Sequence, residues 1–291
     1  MFFVAGITGR VGGTTARMLI DEGRKVRALV RDPQRATGWT DRGVEVFQGD
    51  WTDATALARV LQGVEGAFFI PPPKMVPAPG FPESKALIRS LVEALGQAPP
   101  PRLVVLSSIG SEKASGLGLL TSTHLLEEGL KDMPMPVAFL RAGSFLENYV
   151  GLMSAAAHSG VFHTFYTPTD RPVPMIALED ICKSAVRLLV EGWRGKKILE
   201  LGSPVSADEL ASAMGVVLGR RVTAQAIPRS QWEATLASFG MTSGAEAYME
   251  MTDGLNSGWI AFGVPGTEAV AATVTAAEVF TRAKVEALPG I

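Results

Sequence analysis

The chain has 291 residues, of which 47% are hydrophobic and 19% are charged, so it is long enough to bury a large core in one or two domains. Its 27 basic and 29 acidic residues nearly balance, and the scattered basic residues exclude the charged surface that nucleic-acid-binding proteins show. No apolar run approaches the roughly 18 residues that a membrane span needs. The N-terminal apolar run is too short for a signal peptide, and a single cysteine fits a reducing compartment. We therefore expect a cytoplasmic protein that binds neither nucleic acid nor membrane.

A glycine-rich turn follows the first predicted strand, at residues 2–5, and leads into a helical pattern at residues 14–22. Gly6 permits a tight turn, Gly9 leaves room for a ligand, and Gly12 lets the helix pack against the strand. In this arrangement the backbone N–H groups at the helix start face a pyrophosphate. The turn predicts a dinucleotide site, and a glycine turn with a purely structural role is the alternative.

Strands and helices alternate through the first half of the chain. The predicted strands cover residues 26–30, 44–47, 67–70, 103–106 and 137–140, and the predicted helices cover residues 53–61, 83–95 and 124–131. Short, wholly apolar strands separated by amphipathic helices indicate parallel pairing with right-handed crossovers. The pattern predicts an α/β fold, a doubly wound parallel sheet of the Rossmann type, over residues 1–150.

The second half is predicted to be mainly helical, apart from a strand at residues 198–201. Capping boxes predict helix starts at Ser206, Ser230 and Thr275, each followed three residues later by a glutamate. We expect residues 151–291 to form a small C-terminal lobe over the carboxyl edge of the sheet, with residues 172–203 or so returning to the sheet.

A proline-rich segment at residues 71–82 follows the fourth predicted strand. Because it leaves that strand at its carboxyl end, it is in a position to wall the cofactor cleft. A rigid connector is the alternative.

The end of the second predicted strand carries Arg31. An arginine there suits the 2′-phosphate of NADP(H), whereas an acid suits the free ribose of NAD(H). Arg10, inside the glycine turn, is a candidate for a second positive contact. Asp32 leaves the alternative open, since a shift of one residue puts an acid at the strand end. NADP(H) is the expected cofactor.

Asp50 and Trp51 follow the third predicted strand. A carboxylate and an indole are suited to the amino group and the face of an adenine, respectively. The alternative is that Asp50 is a loop residue and that Trp51 belongs partly to the core.

Several segments together resemble the NmrA-like branch of the atypical short-chain dehydrogenase/reductases. They are residues 6–12, residues 27–33, Gly49-Asp50, and residues 140–148, which are similar to that branch's LRPG-x-FMEN segment. Residues 206–232 are also similar. The resemblance runs from residue 1 to about residue 285 and implies a Rossmann fold with NADP(H) bound. Activities in the branch divide between reductases of quinones, triphenylmethane dyes or alkaloid imines and redox-sensing proteins with little or no catalysis.

The Tyr-x-x-x-Lys pair of the wider superfamily is missing, because none of the three tyrosines is followed four residues later by lysine. Hydride transfer to an electron-poor acceptor needs little acid catalysis. His124 is a candidate proton donor, and a helix residue paired with Glu127 or Glu128 is the alternative. Ser107, after the fifth strand, is expected beside the nicotinamide in view of the resemblance.

We therefore expect an NADPH-dependent oxidoreductase that passes hydride to a hydrophobic, electron-poor acceptor; a non-catalytic NADP(H) sensor with a protein partner is the alternative. A homo-oligomer is a further possibility. The three histidines and the cysteine lack metal-ligand spacing, so no metal is expected. The expected cofactor-binding residues are Gly6, Thr8, Gly9, Arg10, Val11, Gly12, Arg31, Asp50, Trp51, Ile70 and Ser107. The expected substrate-pocket residues are Phe145, Asn148 and Met249.

Overall fold

The computed structural model describes residues 1–72, 75–241 and 243–286. The strands are β1 (Phe2–Val4), β2 (Val26–Val30), β3 (Glu45–Gln48), β4 (Gly66–Phe69), β5 (Leu103–Ser108), β6 (Val137–Ala142), β7 (Ser144–Phe145), β8 (Val161–Thr164), β9 (Val173–Ile176), β10 (Lys196–Leu201), β11 (Ser203–Val205), β12 (Thr223–Ala226) and β13 (Glu268–Val270).

The helices are α1 (Arg10–Asp21), α2 (Thr37–Thr40), α3 (Ala54–Leu61), α4 (Pro82–Gln97), α5 (Thr121–Leu130), α6 (Met153–Ser159), α7 (Leu178–Glu191), α8 (Ala207–Leu218), α9 (Trp232–Ser238), α10 (Ala245–Ser257) and α11 (Ala276–Glu286). Short 3₁₀ helices lie at Pro33–Ala36, Gly118–Leu120, Leu146–Leu152 and Arg229–Gln231.

The large sheet has eight strands in the order β3-β2-β1-β4-β5-β6-β10-β13. All neighbouring strands in it pair in parallel. The strand order reverses direction between β1 and β4, which is where a doubly wound sheet binds its ligand. The predicted α/β fold is confirmed.

Both faces of this sheet are covered by helices. Helices α1 and α7 pack together over one face, and α3, α4 and α5 cover the other. Cys182 on α7 is fully buried, and its thiol donates to the Val11 carbonyl at 3.4 Å. The carboxyl ends of β1, β2, β4, β5 and β6 consequently meet along one edge.

The second half has more strands than predicted. Helices α8 to α11 are present, but β11, β9 and β7 form a three-stranded sheet, and β12 pairs with β8 in a two-stranded one. These strands are two to four residues long, and β12 (Thr-Ala-Gln-Ala) lacks an apolar pattern. Strand β10 lies in the large sheet, and β13 extends that sheet by one more strand. The boundary near residue 150 remains a prediction.

Two of the three predicted capping boxes are confirmed. The Ser206 box starts α8, and Thr275 and Glu278 bond reciprocally at the start of α11. The prediction at Ser230 is wrong, because this residue lies in the 3₁₀ helix Arg229–Gln231 and α9 begins at Trp232 without a side-chain cap. Within the described ranges, no helix combines the length and apolar character needed to cross a bilayer.

Candidate functional site

The glycine turn joins β1 to α1 in a tight bend. Gly6 has a φ of +61°, a conformation that favours glycine. The Gly9 N–H donates to the Gly6 carbonyl at 2.8 Å. A Cβ on Gly12 would lie 2.3 Å from the carbonyl oxygens of both Ala5 and Gly6, so only glycine allows this approach of helix to strand.

The start of α1 is open to an anion. Gly9 is the N-cap, no side chain caps the helix, and no acidic residue lies in the first turn. Thr8, Gly9 and Arg10 are exposed, and Val11 is half-buried. The structure therefore presents uncapped N–H groups and one arginine at the place where a pyrophosphate is expected.

Arg31 and Asp32, at the end of β2, differ in the hydrogen bonds of their side chains. Arg31 is exposed, and in the described part of the chain its side chain forms no hydrogen bond or ion pair; its backbone carbonyl accepts from Gln48 at 3.4 Å. Asp32 caps the 3₁₀ helix that follows, where its Oδ1 accepts from the Gln34 N–H at 3.0 Å. This difference favours Arg31 over Asp32 as the residue that contacts the ribose end of a dinucleotide.

Asp50 and Trp51 have separate roles at the end of β3. The Oδ1 of Asp50 accepts from the Thr52 hydroxyl at 2.6 Å and from the Thr52 N–H at 2.9 Å. These two bonds, and more weakly the charge of Arg31, hold the pKa of Asp50 below its ordinary value. The Trp51 ring packs edge-on against Phe69, with 5.5 Å between centroids, and against Phe3 at 6.3 Å. Trp51 is thus partly buried against the core, as one of the two alternatives for this residue predicted.

The proline-rich segment lies against the C-terminal lobe. Ile70, at the end of β4, is half-buried and packs against the apolar clusters on both faces of the sheet. Pro77, Pro79 and Phe81 line a cavity of about 280 Å³ together with Glu246 and Glu250 of α10. The segment therefore walls a space between the two halves of the chain, although residues 73 and 74 lie outside the described residues.

Ser107 lies in a buried polar cluster that the sequence analysis missed. Its hydroxyl donates to Glu127 Oε1 at 2.5 Å and lies 3.1 Å from the Ser111 hydroxyl. Arg141 of β6 forms a two-point ion pair with Glu127, at 2.7 and 3.0 Å, and also binds Glu112. An arginine in an otherwise apolar strand is a sequence signal of a buried acid, but the sequence does not say which acid.

His124 is half-buried near this cluster, and neither predicted glutamate is its hydrogen-bond partner. Its Nδ1 lies 2.9 Å from the Ser111 carbonyl oxygen. Because a carbonyl only accepts, Nδ1 carries the proton and Nε2 is the nitrogen free to gain or lose one. Glu127 instead binds Ser107 and Arg141, and Glu128 binds Lys131 at 2.8 Å.

The three expected substrate-pocket residues differ in burial and in contacts. Phe145 is half-buried against the sheet, and Asn148 is exposed on the 3₁₀ helix, whose N-cap is Phe145. Met249, on α10, accepts from Arg229 at 3.3 Å. Arg229 in turn pairs with Asp253 at the protein surface, at 2.9 Å. The structure thus gives these three residues different surroundings.

Glu147 is a second polar residue that the sequence analysis did not single out. Its Oε1 accepts from the Leu178 N–H at the start of α7, at 2.9 Å, and its buried Oε2 has no hydrogen-bond partner among the residues that the structure describes. Burial raises its pKa, while the bond from Leu178 and the charge of Arg10 oppose that rise. Among the described residues, no three His, Cys, Asp or Glu side chains are grouped to hold a metal.

Several known proteins are similar to this chain in sequence. Quinone oxidoreductase 2 of Escherichia coli is 27% identical over 248 residues, 84% of each chain. A (4-alkanoyl-5-oxo-2,5-dihydrofuran-3-yl)methyl phosphate reductase of Streptomyces griseus is 28% identical over 91% of this chain and 90% of its own. The NAD(P)H azoreductase of Xenophilus azovorans is 26% identical over 83% of this chain and 82% of its own.

A solved structure supports the same relationship. The NADPH-dependent quinone oxidoreductase of Escherichia coli, crystallised with NADPH, aligns with a TM-score of 0.80 and 26% identity over 97% of this chain and 99% of that one. The model of the NmrA-like family matches residues 2–257. The chain therefore belongs to the NmrA-like family.

Proposed function

We propose that this protein is an NADPH-dependent reductase that transfers hydride to a hydrophobic, electron-poor acceptor such as a quinone, a dye or an imine. The observation that carries the proposal is the uncapped start of α1 beside the glycine turn, with Arg31 exposed at the end of the neighbouring strand β2. The relatives named as quinone oxidoreductase and azoreductase support the reaction class.

The cofactor is NADP(H), and its pyrophosphate binds at the first turn of α1, where Arg10 adds positive charge. Arg31 pairs with the 2′-phosphate, because a guanidinium and a phosphate form two parallel charge-assisted hydrogen bonds. The crystal structure of the Escherichia coli relative with NADPH supports this choice. Bound there, the cofactor supplies a hydride at the carboxyl edge of the sheet.

The chain's own residues give the acceptor little acid catalysis. No Tyr-x-x-x-Lys pair is present in the sequence, and the Ser107 proton is engaged by Glu127. An acceptor that is already electron-poor reacts when it is held in the right geometry in a dry site. His124 Nε2 is the group available to supply a proton, because its Nδ1 is engaged with the Ser111 carbonyl.

The first experiment is a fluorescence titration of the protein with NADPH and NADH, in the wild type and in Arg31→Ala. We expect NADPH to bind at least tenfold tighter, about 1.4 kcal/mol, and Arg31→Ala to remove the difference. Arg89→Ala, which removes an exposed arginine from α4, is the matched control and should keep the preference. Equal binding of both cofactors to the wild type would contradict the role of Arg31.

Oxidation of NADPH is then followed over a panel of quinones, dyes and imines. Turnover with a member of the panel supports the reductase, and loss of turnover in His124→Ala identifies the proton donor. An enzyme that binds NADPH tightly but reduces none of the panel would favour the sensor alternative.

A further inference from the structure

A row of hydroxyl groups leads from the buried ion pair of Arg141 and Glu127 to the loop that follows β5. The Ser107 hydroxyl donates to Glu127 Oε1 at 2.5 Å and lies 3.1 Å from the Ser111 hydroxyl. The Ser111 hydroxyl in turn lies 2.8 Å from the Thr123 hydroxyl, in the first turn of α5. We call Ser107, Ser111 and Thr123 the hydroxyl row.

The protons of the hydroxyl row have defined directions. The Ser107 proton goes to the carboxylate of Glu127, which only accepts. The Thr123 proton goes to the carbonyl oxygen of Leu120, at 2.7 Å. The oxygens of Ser107 and Thr123 are therefore left as acceptors on the two sides of Ser111. The Ser111 hydroxyl is the donor that joins the two ends of the row.

Ser111 is held in place by its backbone as well as its side chain. The residue is only 2% exposed, and its N–H donates to the Ser108 carbonyl at 3.3 Å. Its own carbonyl oxygen lies 2.9 Å from His124 Nδ1. A buried hydroxyl that loses its partners is costly, so the row opposes any displacement of Ser111. The carbonyl consequently keeps its place beside the imidazole.

The second ring nitrogen of His124 is accessible. Nε2 forms no hydrogen bond among the described residues, and it is not one of their buried atoms without a partner. Solvent or a ligand can therefore reach it. The hydrogen bond made by one imidazole nitrogen decides which nitrogen carries the proton. The bond to the Ser111 carbonyl thus leaves Nε2 as the nitrogen that exchanges a proton.

We propose that Ser111 is a positioning residue, whose hydroxyl keeps its carbonyl on His124 Nδ1 and so holds the ring in the tautomer that exchanges protons at Nε2. The anchor of the row is Glu127, whose two oxygens are bound by the buried Arg141 at 2.7 and 3.0 Å. Because both oxygens are engaged, the carboxylate cannot turn away from Ser107. This inference rests on the proposed function, in which His124 supplies a proton.

The test is ¹⁵N NMR of protein labelled only at histidine, in mildly alkaline buffer so that the rings are neutral. In the wild type we expect the shift of a protonated nitrogen at His124 Nδ1 and that of a bare nitrogen at Nε2, assigned with His124→Asn. In Ser111→Ala the two shifts should move towards each other, as a mixture of tautomers requires. His158, whose Nδ1 lies 2.7 Å from the Ser154 carbonyl, is the internal reference and should not change.

Three further variants separate the lost hydroxyl from a general disturbance of the fold. Thr123→Val removes one partner of Ser111 at nearly constant shape and should move the His124 shifts in the same direction. Thr123→Ser keeps the hydroxyl and should restore the wild-type shifts. Ser122→Ala is the matched control, because it removes a neighbouring hydroxyl that donates to the Leu119 carbonyl, at 3.1 Å, and does not belong to the row.

Turnover separates this inference from the proposed function. With an acceptor that the wild type reduces, Ser111→Ala should lower kcat about tenfold and change KM by less than about twofold, because proton supply rather than binding is impaired. Lower kcat with unchanged His124 shifts would make Ser111 merely structural and overturn the inference. Changed shifts with unchanged kcat, or a wild-type His124 that carries its proton on Nε2, would also overturn it. Ser111-dependent shifts in a protein that oxidises no NADPH would keep the tautomer contact and contradict the reductase.

Discussion

Gly12 shows how a single residue sets the geometry of the proposed cofactor site. A Cβ there would lie 2.3 Å from two backbone oxygens, which cannot move without displacing β1 from α1. We expect Gly12→Ala to lower the free energy of unfolding by about 3 kcal/mol, and to weaken NADPH binding, as measured by urea denaturation and titration.

Gly96 offers the matched control. It lies in the last turn of α4, and a Cβ there would meet nothing within 4 Å. Gly96→Ala should stabilise the protein by roughly 0.5–1 kcal/mol, because alanine favours the helix. A Gly12→Ala variant as stable as the wild type would show that the turn tolerates a side chain.

Glu147 makes stability depend on pH. Burial raises the pKa of the Glu147 carboxyl in the folded protein above its value in the unfolded chain, so the folded state favours the protonated carboxyl. The stability that the protonated carboxyl contributes is lost as the pH rises through the folded pKa. Glu147→Gln keeps an oxygen for the Leu178 N–H and removes the buried charge. We expect the variant to have a higher Tm than the wild type at pH 7, with the difference vanishing near pH 4, measured by calorimetry.

Residues predicted for the site fall into two groups at this scale. Gly6 and Gly12 shape the turn next to them, and Arg31 is exposed at the end of β2, so neighbouring residues in the sequence were sufficient to predict these positions, while their roles in binding a cofactor stay predictions. Trp51 and Ser107 depend on distant partners: Phe69 for the indole and Glu127 for the hydroxyl. Neither partner is apparent from the residues around Trp51 or Ser107.

Helices and strands whose sequence signals lie in neighbouring residues were predicted well. Helix α1 nevertheless begins at Arg10, four residues before the predicted start, because Gly9 already serves as its N-cap. The predicted start of α5 at residue 124 is three residues late, since Thr121 follows the 3₁₀ helix Gly118–Leu120 directly. For α1, a glycine predicted to belong to the turn is therefore also the N-cap of the helix.

The two serine capping boxes give a prediction at the scale of elements. Ser206 accepts from the Glu209 N–H at 3.1 Å, whereas Ser230 lies in a 3₁₀ helix and caps nothing. We expect Ser206→Ala to destabilise the protein by about 1 kcal/mol and Ser230→Ala to change its stability by less than about 0.5 kcal/mol. If urea denaturation shows that both variants lose the same free energy of unfolding, the shared sequence pattern, rather than the observed capping, determines the loss of stability.

Two buried carboxylates, Asp180 and Glu200, bind backbone N–H groups that are far away along the chain. Asp180 accepts from the N–H groups of Thr273 and Val274, at 2.7 and 2.9 Å, and Glu200 accepts from that of Gly263 at 2.8 Å. These bonds fasten the segments on both sides of β13 to α7 and β10. Ligand binding at the sheet edge should therefore stabilise the fold as one unit.

Thermal unfolding tests this expectation. NADPH at a hundredfold excess over its Kd adds about 2.7 kcal/mol, which corresponds to a rise in Tm of roughly 5 °C. We expect this rise in the wild type and a smaller one at the same NADPH concentration in Arg31→Ala, measured by differential scanning fluorimetry. The same rise in both proteins would contradict the pairing of Arg31 with the 2′-phosphate.

The sequence by itself determined the parallel sheet, the glycine turn, the exposed arginine at the end of β2 and the family resemblance. Each depends on residues close together in the chain, where hydrophobic periodicity and glycine conformation act directly. Only the tertiary structure decided that Trp51 packs partly buried against Phe69, that Glu127 binds Ser107 and Arg141 instead of His124, and that Tyr149 donates to Tyr166. These contacts join residues far apart in sequence, and they exist only because packing of the sheet, the helices and the C-terminal half brings those residues together.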